Sequence, residues 1–283
     1  MVTESLPPGG CAGRRWILPS AAMRTALSIA GSDPTGGAGI QADLQVFRAL
    51  GVHGAAVVTA LTVQDTEKVH QSLPAFPNVV LDQLRVLLRD VTPHAVKVGM
   101  LATDDIARNV ALALASLDDA VPVVLDPVLA ASDGTPLLER RAWHTLQGLF
   151  PRCTLVTPNL REAELLSGND TATRTGCESA ARTIVEELGA GAVLLNGGHR
   201  EGAPDDLFVW RDADRTGLEW LPGTRIDVGE VHGTGCALSA AIAAALARDV
   251  ALREAVERGR QFVAGGLERA HQAGRVARLL GFG

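Results

Sequence analysis

Aromatic side chains are scarce in this sequence, and tyrosine is absent altogether. Aromatic residues make up 4% of the 283 residues, whereas hydrophobic residues make up 47%. A core of this composition has to be built from valine, leucine, isoleucine and alanine. These residues are typical of a parallel sheet that helices bury on both faces. The length is enough for one large α/β domain or two small ones.

The sequence also lacks an excess of basic charge, since its formal net charge is -6 at pH 7. A protein that binds nucleic acid neutralises phosphates with a basic face. The composition therefore argues against nucleic acid as a main partner. No apolar run reaches the roughly 18 to 20 residues that a membrane-spanning helix needs, so we expect no membrane partner either.

Closely spaced cysteines are a third absence. The four cysteines, Cys11, Cys153, Cys177 and Cys236, are far apart and form no Cys-x-x-Cys pair. Such spacing is poor evidence for a disulfide framework or a structural zinc site. Because a reducing compartment fits this usage best, we expect a cytoplasmic protein.

Residues 1–22 differ from the rest of the chain. The stretch 7–10 reads Pro-Pro-Gly-Gly, which does not nucleate regular structure. A pair of arginines at 14–15 invites a twin-arginine export interpretation, but no sustained apolar region follows it. We expect residues 1–22 to be a disordered leader, with Met23 as the effective start, and residues 23–283 to form a single domain.

From Thr25 onward, short apolar runs alternate with segments of helical periodicity. This alternation predicts right-handed βαβ crossovers and an α/β fold, a three-layer sandwich whose mostly parallel central sheet is covered by helices on both faces. The predicted strands are "ALSIAG", "GAAVVTALTV", "HAVKVGML", "VPVVLDPV", "CTLVTPN" and "GAVLLNGG", with "DDLFVW", "GLEWLP" and "TRIDVG" as antiparallel additions. The predicted helices cover "IQADLQVFRALG" and residues 79–91, 104–117, 137–149, 160–166, 179–188, 235–247 and 252–270.

Small, polar and acidic residues follow the predicted strands. In open α/β sheets, ligands bind beyond the carboxyl ends of the strands. Asp33, Gln64, Asp126, Asn159 and the Gly-Gly-His at 197–199 all stand at such ends. Turns need glycine in any fold, but carboxylates and amides gathered at one edge of a sheet indicate a binding site.

The segment "VHGTGCALSAAIAAAL" leads a glycine-rich turn into an apolar helix. The backbone N–H groups of Gly233, Thr234, Gly235 and the first helical turn have no intrahelical acceptor. A phosphate can approach them, and the helix dipole favours its negative charge. An ordinary capped helix with Thr234 as its N-cap explains the same residues equally well.

Cys236 lies in the first turn of that helix. The helix dipole is expected to lower the pKa of its thiol from about 8.5 toward neutrality. A thiolate there could take the proton of a substrate hydroxyl while that oxygen attacks a phosphorus. Most free cysteines are small buried hydrophobic residues, but the neighbouring anion-binding turn favours a catalytic role.

Three side chains are suited to a magnesium site. Asp126 ends a strand before a proline, and Asn159 and Glu162 of "NLRE" lie three residues apart, near the start of one helix. Mg²⁺ prefers one or two carboxylates together with waters and phosphate oxygens. Alternatively, Glu162 is an acid that complements the dipole at a helix start.

Seven motifs carry a resemblance to a known family. They are, in order, "ALSIAGSDPTGGAGIQADLQVF", "TALTVQDT", "VKVGMLA", "VVLDPVLAASDGTPLL", "TPNLREAELLSG", "GGH" and "VHGTGCALSAAIAAALA". From about residue 26 to residue 247 the chain resembles the hydroxymethylpyrimidine/phosphomethylpyrimidine kinases of thiamine biosynthesis, in the ribokinase-like superfamily. The resemblance implies phosphorylation of 4-amino-5-hydroxymethyl-2-methylpyrimidine and then of its monophosphate, with ATP and Mg²⁺, by a homodimer.

The same resemblance implies roles for individual residues. Cys236 takes the position of the base, and the amides of residues 233–235 form the anion hole that stabilises the transferring phosphoryl group. Gln64 reads the aminopyrimidine edge, because a carboxamide offers both an acceptor and a donor. The remaining matches are Ala38, Met100 and Val128 in the pyrimidine pocket, and Asn159, Glu162 and Asn196 in the ATP and magnesium region, with Asp126 close by.

The chain departs from the family pattern at three positions. Asn196 replaces a lysine that would face phosphate, Glu230 lies where relatives often read Lys-Asn-Thr, and Asp65 follows Gln64 where asparagine is usual. Two other interpretations stay open: a pyridoxine/pyridoxal kinase, whose substrate is also a hydroxymethyl-bearing aromatic ring, and a weakly active ligand-binding relative. The cysteine of "GTGC" and Gln64 favour the pyrimidine kinase.

Overall fold

A computed structural model of the protein describes residues 23–197, 204–212 and 215–282. The strands are β1 (Thr25–Ser32), β2 (His53–Gln64), β3 (Val69–Pro74), β4 (Ala95–Val98), β5 (Val123–Leu125), β6 (Leu155–Val156), β7 (Ala192–Leu195), β8 (Asp206–Asp212), β9 (Arg215–Leu221), β10 (Val231–His232) and β11 (Arg278–Leu279).

The helices alternate with these strands along the chain. They are α1 (Gly39–Ala49), α2 (Pro77–Asp90), α3 (Asp104–Leu114), α4 (Trp143–Gln147), α5 (Leu160–Ser167), α6 (Arg174–Arg182), α7 (Thr234–Ala247) and α8 (Leu252–Glu268). Two 3₁₀ turns, Arg140–Ala142 and Phe150–Arg152, flank α4, and a π-helical turn, Thr183–Glu187, continues α6.

Nine of the described strands form one sheet in the order β3-β2-β1-β4-β5-β6-β7-β8-β9. The strands from β2 to β7 in this order run parallel to their neighbours. β3 pairs antiparallel at one edge, and β8 and β9 pair antiparallel at the other. The predicted α/β fold with a mostly parallel central sheet is therefore confirmed.

The two faces of the sheet hold separate hydrophobic cores, because side chains alternate between faces along each strand. In β5, Val123 and Leu125 belong to the first core, under α2, α3, α5 and α6, whereas Val124 belongs to the second core, under α1, α7 and α8. β4 follows the same rule, with Val96 and Val98 in the first core. Helices thus cover both faces, as the three-layer prediction requires.

The predicted helix over residues 137–149 is wrong, since only its second half is helical. Its first residues bond elsewhere: Leu137 N–H donates to Leu129 O at 2.9 Å, and Glu139 N–H donates to Ala102 O at 3.0 Å. Backbone groups engaged in this way are not available to an α-helix. The predicted helix over 179–188 begins earlier, at Arg174, because Thr173 caps it by accepting from Gly176 N–H.

The strand predicted for "TRIDVG" is also wrong, since residues 224–229 form no strand. The pairing of β8 with β9 ends before this segment, because Leu221, the last residue of β9, pairs with Asp206, the first residue of β8. Conversely, β3 was not predicted from the sequence. It pairs with β2 at the exposed edge of the sheet, and its segment shows little apolar alternation.

A small second sheet ties the end of the described chain to the segment before α7. β10 and β11 pair in parallel, with His232 opposite Leu279. Just before β11, Ala277 N–H donates to Thr66 O at 3.1 Å, in the turn between β2 and β3. The segment around β11 therefore contacts two loops that are distant in sequence.

Some predictions fall outside the described residues. These are the leader over residues 1–22 with Cys11, and Gly198 and His199; the division of the chain at Met23 stays a prediction. Among the helices of the described residues, none combines the length and the apolar character needed to cross a membrane.

Candidate active site

The carboxyl ends of the parallel strands bring most of the predicted site residues to one edge of the sheet. Asp33 follows β1, Gln64 ends β2, Asp126 follows β5 and Asn196 follows β7. Neighbouring parallel strands end at the same edge, so these side chains lie along it in the order of the strands. The edge identified from the sequence is therefore present in the fold.

The N-terminus of α7 faces this edge. Gly233 is the N-cap, with a left-handed φ of 82°, and no side chain caps the helix. The interpretation of Thr234 as an N-cap is therefore wrong, because Thr234 is the first helical residue. The first N–H groups of α7 are left without a side-chain acceptor, as an anion site requires.

Glycines at the N-terminus of α7 allow close packing of two loops and leave space beside the first amides of the helix. A Cβ on Gly233 would lie 1.8 Å from Gly37 O, so only glycine fits between the two loops. A Cβ on Gly235 would meet only Asp126 Oδ2, at 3.9 Å. Asp126 therefore faces the amides at the start of α7.

Cys236 lies in the first turn of α7, but its thiol is not activated as the helix dipole suggested. Burial raises the pKa of the Cys236 thiol to about 12, the Asp126 and Asp43 carboxylates act in the same direction, and the Lys97 ammonium opposes them. The predicted shift toward neutrality is wrong for the protein without ligands. Burial of the thiol outweighs the effect expected from the helix dipole.

A buried ion pair that the sequence analysis did not assign lies beneath this centre. Lys97 Nζ is 2.9 Å from Asp43 Oδ2, and both side chains are 0% exposed. Ser28 Oγ donates to the same carboxylate at 2.5 Å. Lys97 acts electrostatically on both Cys236 and Asp126, where it favours the anions.

The signals for this ion pair are visible in the sequence. Lys97 stands inside the apolar strand "AVKV", and a lysine is almost never fully buried without a partner. Asp43 lies three residues after Ile40 and four before Phe47, on the apolar stripe of α1. A charge of each sign in two buried elements predicts that they meet.

Asp126 and Glu162 form the predicted magnesium region. Burial raises the pKa of Asp126, and Ser239 Oγ donates to its Oδ2 at 3.3 Å. Burial also raises the pKa of Glu162 to about 8, and the charge of Asp126 adds to this shift. The two carboxyl groups are close enough to repel each other, and a divalent cation would relieve that repulsion.

Glu162 also has a local structural role. Asn159 Oδ1 accepts from Glu162 N–H and Glu162 Oε2 accepts from Asn159 N–H, both at 2.9 Å, so the two residues form a capping box at the start of α5. The interpretation of Glu162 as a helix-start acid is therefore confirmed. In the described part of the chain, no group of three or more His, Cys, Asp or Glu side chains could hold a metal ion. One or two carboxylates with waters and phosphates suffice for Mg²⁺.

Asn196 lies beside Asn159, and the two are paired by a parallel bridge. Its Nδ2 donates to Thr157 O at 3.2 Å. Its Oδ1 is buried and has no hydrogen-bond partner among the described residues. The position at which the family resemblance predicts a lysine thus carries a neutral amide.

The predicted pyrimidine-pocket residues fall into two groups. His232 Nε2 lies 2.9 Å from Asp33 Oδ2 and 3.0 Å from Gln64 Nε2, and Ala38 N–H donates to Asp33 Oδ2 at 2.9 Å. Met100 packs with Ala60 and Ala102, and Val128 packs against them. No role was predicted for His232 from the sequence, although it stands in the motif that carries Cys236.

The Asp65 side chain is bonded within the β2–β3 hairpin. Its exposed carboxylate accepts from the N–H groups of Glu67 and Lys68 and pairs with His70 at 2.8 Å. Hydrogen bonds from His70, Lys68 and Glu67 hold the pKa of Asp65 well below its usual range. The departure from the family pattern at this position serves the β2–β3 turn.

Comparison with known proteins agrees with this geometry. The family model described as phosphomethylpyrimidine kinase matches residues 33–280. The chain is 41% identical over 254 residues to the hydroxymethylpyrimidine/phosphomethylpyrimidine kinase of Mycobacterium tuberculosis, which covers 88% of this chain and 90% of that protein.

Two crystal structures are similar over most of their length. The phosphomethylpyrimidine kinase of Clostridium difficile superimposes with a TM-score of 0.74 and 32% identity, over 85% of this chain and 98% of that one. The Bacillus subtilis pyridoxal kinase in complex with ADP superimposes with a TM-score of 0.81 and 31% identity, over 92% of this chain and 97% of that one.

Proposed function

Because this chain belongs to the phosphomethylpyrimidine kinase family, we propose that it phosphorylates 4-amino-5-hydroxymethyl-2-methylpyrimidine, and then its monophosphate, in thiamine biosynthesis. The substrate oxygen attacks the γ-phosphorus of ATP, the bond to the β-phosphate oxygen breaks, and ADP leaves. The proton of the substrate hydroxyl passes to a base of the protein.

The observation that carries this proposal is the meeting of three groups at one point. Uncapped amides at the start of α7, the Cys236 thiol and the Asp126 carboxylate lie together at the carboxyl edge of the sheet. The amides of residues 233–235 would stabilise the charge on the transferring phosphoryl group. Gln64, with Ala38, Met100 and Val128, would hold the pyrimidine ring nearby.

Cys236 is proposed as the base that takes the hydroxyl proton. Because its thiol pKa is about 12 without ligands, the thiol form predominates at neutral pH. In a loose phosphoryl-transfer transition state, the attacking oxygen becomes acidic as its bond to phosphorus forms. Only the thiolate can accept that proton, so the thiol first loses its own proton to solvent, and the Lys97 ammonium favours this thiolate form.

Asp126 and Glu162 are proposed to hold Mg²⁺, and Asn159 and Asn196 to lie on the ATP side. The two close carboxyl groups fit a divalent cation, since burial and mutual repulsion disfavour two uncompensated charges. When bound, Mg²⁺ would neutralise phosphate charge of ATP. Asn196 contributes no positive charge, so the helix amides and the metal site would bind phosphate without it.

The test is ATP consumption by the full-length protein with the aminopyrimidine, its monophosphate and pyridoxal in parallel. The expected result is turnover of both pyrimidines and little of pyridoxal. Gln64→Ala should weaken pyrimidine binding by about 5- to 150-fold, which corresponds to about 1–3 kcal/mol. The matched control is Gln83→Ala, at an exposed glutamine of α2, which should leave the affinity unchanged.

Pyridoxal kinase is the second candidate function, favoured by the likeness to the Bacillus subtilis enzyme. Both substrates are aromatic rings that bear a hydroxymethyl group. Preferential turnover of pyridoxal in the parallel assay would replace the first proposal with this one. No ATP consumption with any of the three would leave a ligand-binding relative.

We also propose that the protein is a homodimer. Leu61, Val63 and Leu73 are exposed by 56%, 49% and 45% on the β2–β3 hairpin, and Leu61 pairs directly with Leu73. An apolar patch of this kind suits a two-fold interface with a second copy. In sedimentation, Leu61→Asp should shift the protein to monomer, whereas Val86→Asp on the exposed face of α2 should not. A wild-type monomer would overturn the proposal.

The cytoplasm is the proposed location. Cys153 is fully buried with a thiol pKa raised to about 12 by burial, and Cys236 is placed for chemistry; neither forms a disulfide. Such cysteine usage is typical of a reducing compartment. Fractionation of cells that express the full chain would test this location.

A further inference from the structure

One ring nitrogen links the substrate glutamine to a buried carboxylate. His232 Nε2 lies between Asp33 Oδ2, at 2.9 Å, and the Nε2 end of the Gln64 carboxamide, at 3.0 Å. A neutral imidazole nitrogen either donates or accepts, so it cannot donate to one neighbour while it accepts from the other. The protonation of this atom therefore decides how the carboxamide is oriented.

Asp33 requires a donor at this position. Its Oδ1 accepts from Thr35 N–H at 2.8 Å, and its Oδ2 accepts from the Thr35 hydroxyl at 2.8 Å and from Ala38 N–H at 2.9 Å. Burial disfavours the anion, but the hydrogen bonds from His232 and Thr35 hold the pKa of Asp33 below its ordinary value. Since Asp33 is an ionised acceptor, His232 Nε2 carries the proton.

The far end of the carboxamide gives independent evidence. Thr62 Oγ1 lies 3.0 Å from Ser32 O and 3.2 Å from Gln64 Oε1. The Thr62 hydroxyl donates its hydrogen to Ser32 O at the shorter distance, which leaves an oxygen lone pair facing the Gln64 oxygen, whereas an N–H of the carboxamide could donate to that lone pair. A carboxamide can be turned by 180°, which exchanges its oxygen and nitrogen. In the turned orientation the Gln64 nitrogen donates to Thr62 Oγ1, the hydroxyl donates to Ser32 O, and His232 Nε2–H faces an oxygen.

We propose that Asp33, His232 and Thr62 are positioning residues that fix the Gln64 carboxamide with its oxygen toward His232 and its nitrogen toward Thr62. This orientation favours a ring in which the carbon that bears the amino group lies between the carbon that bears the hydroxymethyl group and a ring nitrogen that accepts a hydrogen bond. The selectivity rests on the proposed function of the site, whereas the orientation itself does not.

The position of His232 matches this selection. It directly precedes the residues 233–235 that would bind the transferring phosphoryl group. In 4-amino-5-hydroxymethyl-2-methylpyrimidine the amino group neighbours the hydroxymethyl carbon, so the acceptor for that amino group belongs on the same side. A 4-oxo analogue, with a carbonyl at position 4 and N–H at position 3, needs the opposite orientation.

The kinetic test compares the 4-amino substrate with its 4-oxo analogue, as substrate and as competitive inhibitor. Wild type should prefer the amino ring. Asp33→Asn and Thr62→Val should each reduce the amino-to-oxo affinity ratio by about fivefold or more, the equivalent of one hydrogen bond. Thr62→Ser should restore the ratio, and His271→Gln, at an exposed histidine, should leave it unchanged. An equal loss for both rings would overturn the proposal, because loss of structure alone predicts that result.

A second measurement needs no activity. The ¹⁵N shift of His232 Nε2 in the ligand-free full-length protein, assigned by comparison with His232→Gln, should be that of a protonated nitrogen near neutral pH. An unprotonated Nε2 would overturn the proposed orientation even in an active enzyme. If wild type phosphorylates no pyrimidine while Nε2 is protonated, the proposed function fails and the orientation stands.

Discussion

Removing Lys97 should destabilise the protein more than any change of an exposed charge. In Lys97→Met, Asp43 keeps the hydrogen bond from Ser28 but loses its ion-pair partner. Both partners are 0% exposed, so water cannot compensate the remaining carboxylate. The methionine side chain fits a site that already holds an unbranched four-carbon stem.

The expected cost follows from the burial of the pair. Breaking a buried ion pair by removal of one partner costs about 3–5 kcal/mol, because the other charge is left uncompensated. Neutralising both partners, as in Asp43→Asn with Lys97→Met, removes the two charges together and should cost far less than the sum. A double-mutant cycle should therefore give a coupling energy of about 3 kcal/mol.

Urea unfolding of wild type, Lys97→Met, Asp43→Asn and the double variant at pH 7 measures this coupling. Lys68→Met is the matched control, because Lys68 is exposed and is the only other lysine in the sequence. The control should change the free energy of unfolding by less than about 0.5 kcal/mol. Additive costs of the two single variants would refute the argument that the ion pair is the unit of stability.

Three further changes address the catalytic centre. Gly233→Ala should lower turnover by at least about a hundredfold, since its Cβ would meet Gly37 O at 1.8 Å. Gly168 also has a positive φ, but a Cβ there would meet nothing within 4 Å. Gly168→Ala should therefore cost only about 1 kcal/mol of stability in a thermal melt. If both variants behave alike, the close approach is irrelevant. Because the Cys236 thiol of the ligand-free protein has a pKa of about 12, kcat/KM should rise about tenfold per pH unit between pH 7 and 9 as the thiolate fraction grows; a plateau of kcat/KM near neutral pH would exclude Cys236 as the titrating base. Asn196→Lys should lower the KM for ATP and leave that for the pyrimidine unchanged, and an unaltered KM for ATP would place this residue away from the phosphates.

The layered fold could be predicted from the sequence because buried strands and amphipathic helices have different periods. The prediction failed where the backbone bonds outside its own segment. Leu137 and Glu139 donate to Leu129 and Ala102, and these partners cannot be recognised from local periodicity. β3 was missed for another reason: only Val69 of this edge strand is buried, so its sequence shows little apolar alternation.

In the candidate site too, local features could be predicted from the sequence, whereas contacts between distant elements could not. The motif around Cys236 predicted the glycine-rich turn and the uncapped start of α7, because these are local features. The pKa of its thiol could not be predicted, since it depends first on burial and then on Lys97, Asp126 and Asp43, which come from other elements. Lys97 could have been found as a charge inside a buried strand, but its partner required the fold.

The pairing of β10 with β11 bears on how the protein is synthesised. His232 lies opposite Leu279, and the Leu279 side chain packs against the Gly37 loop that also contacts Gly233. During translation the helices and strands that precede α8 leave the ribosome before β11 exists. The proposed pyrimidine side of the site therefore acquires its final shape only after synthesis of Leu279, so we expect a nascent chain stalled before that residue to carry a folded sheet but to bind no pyrimidine.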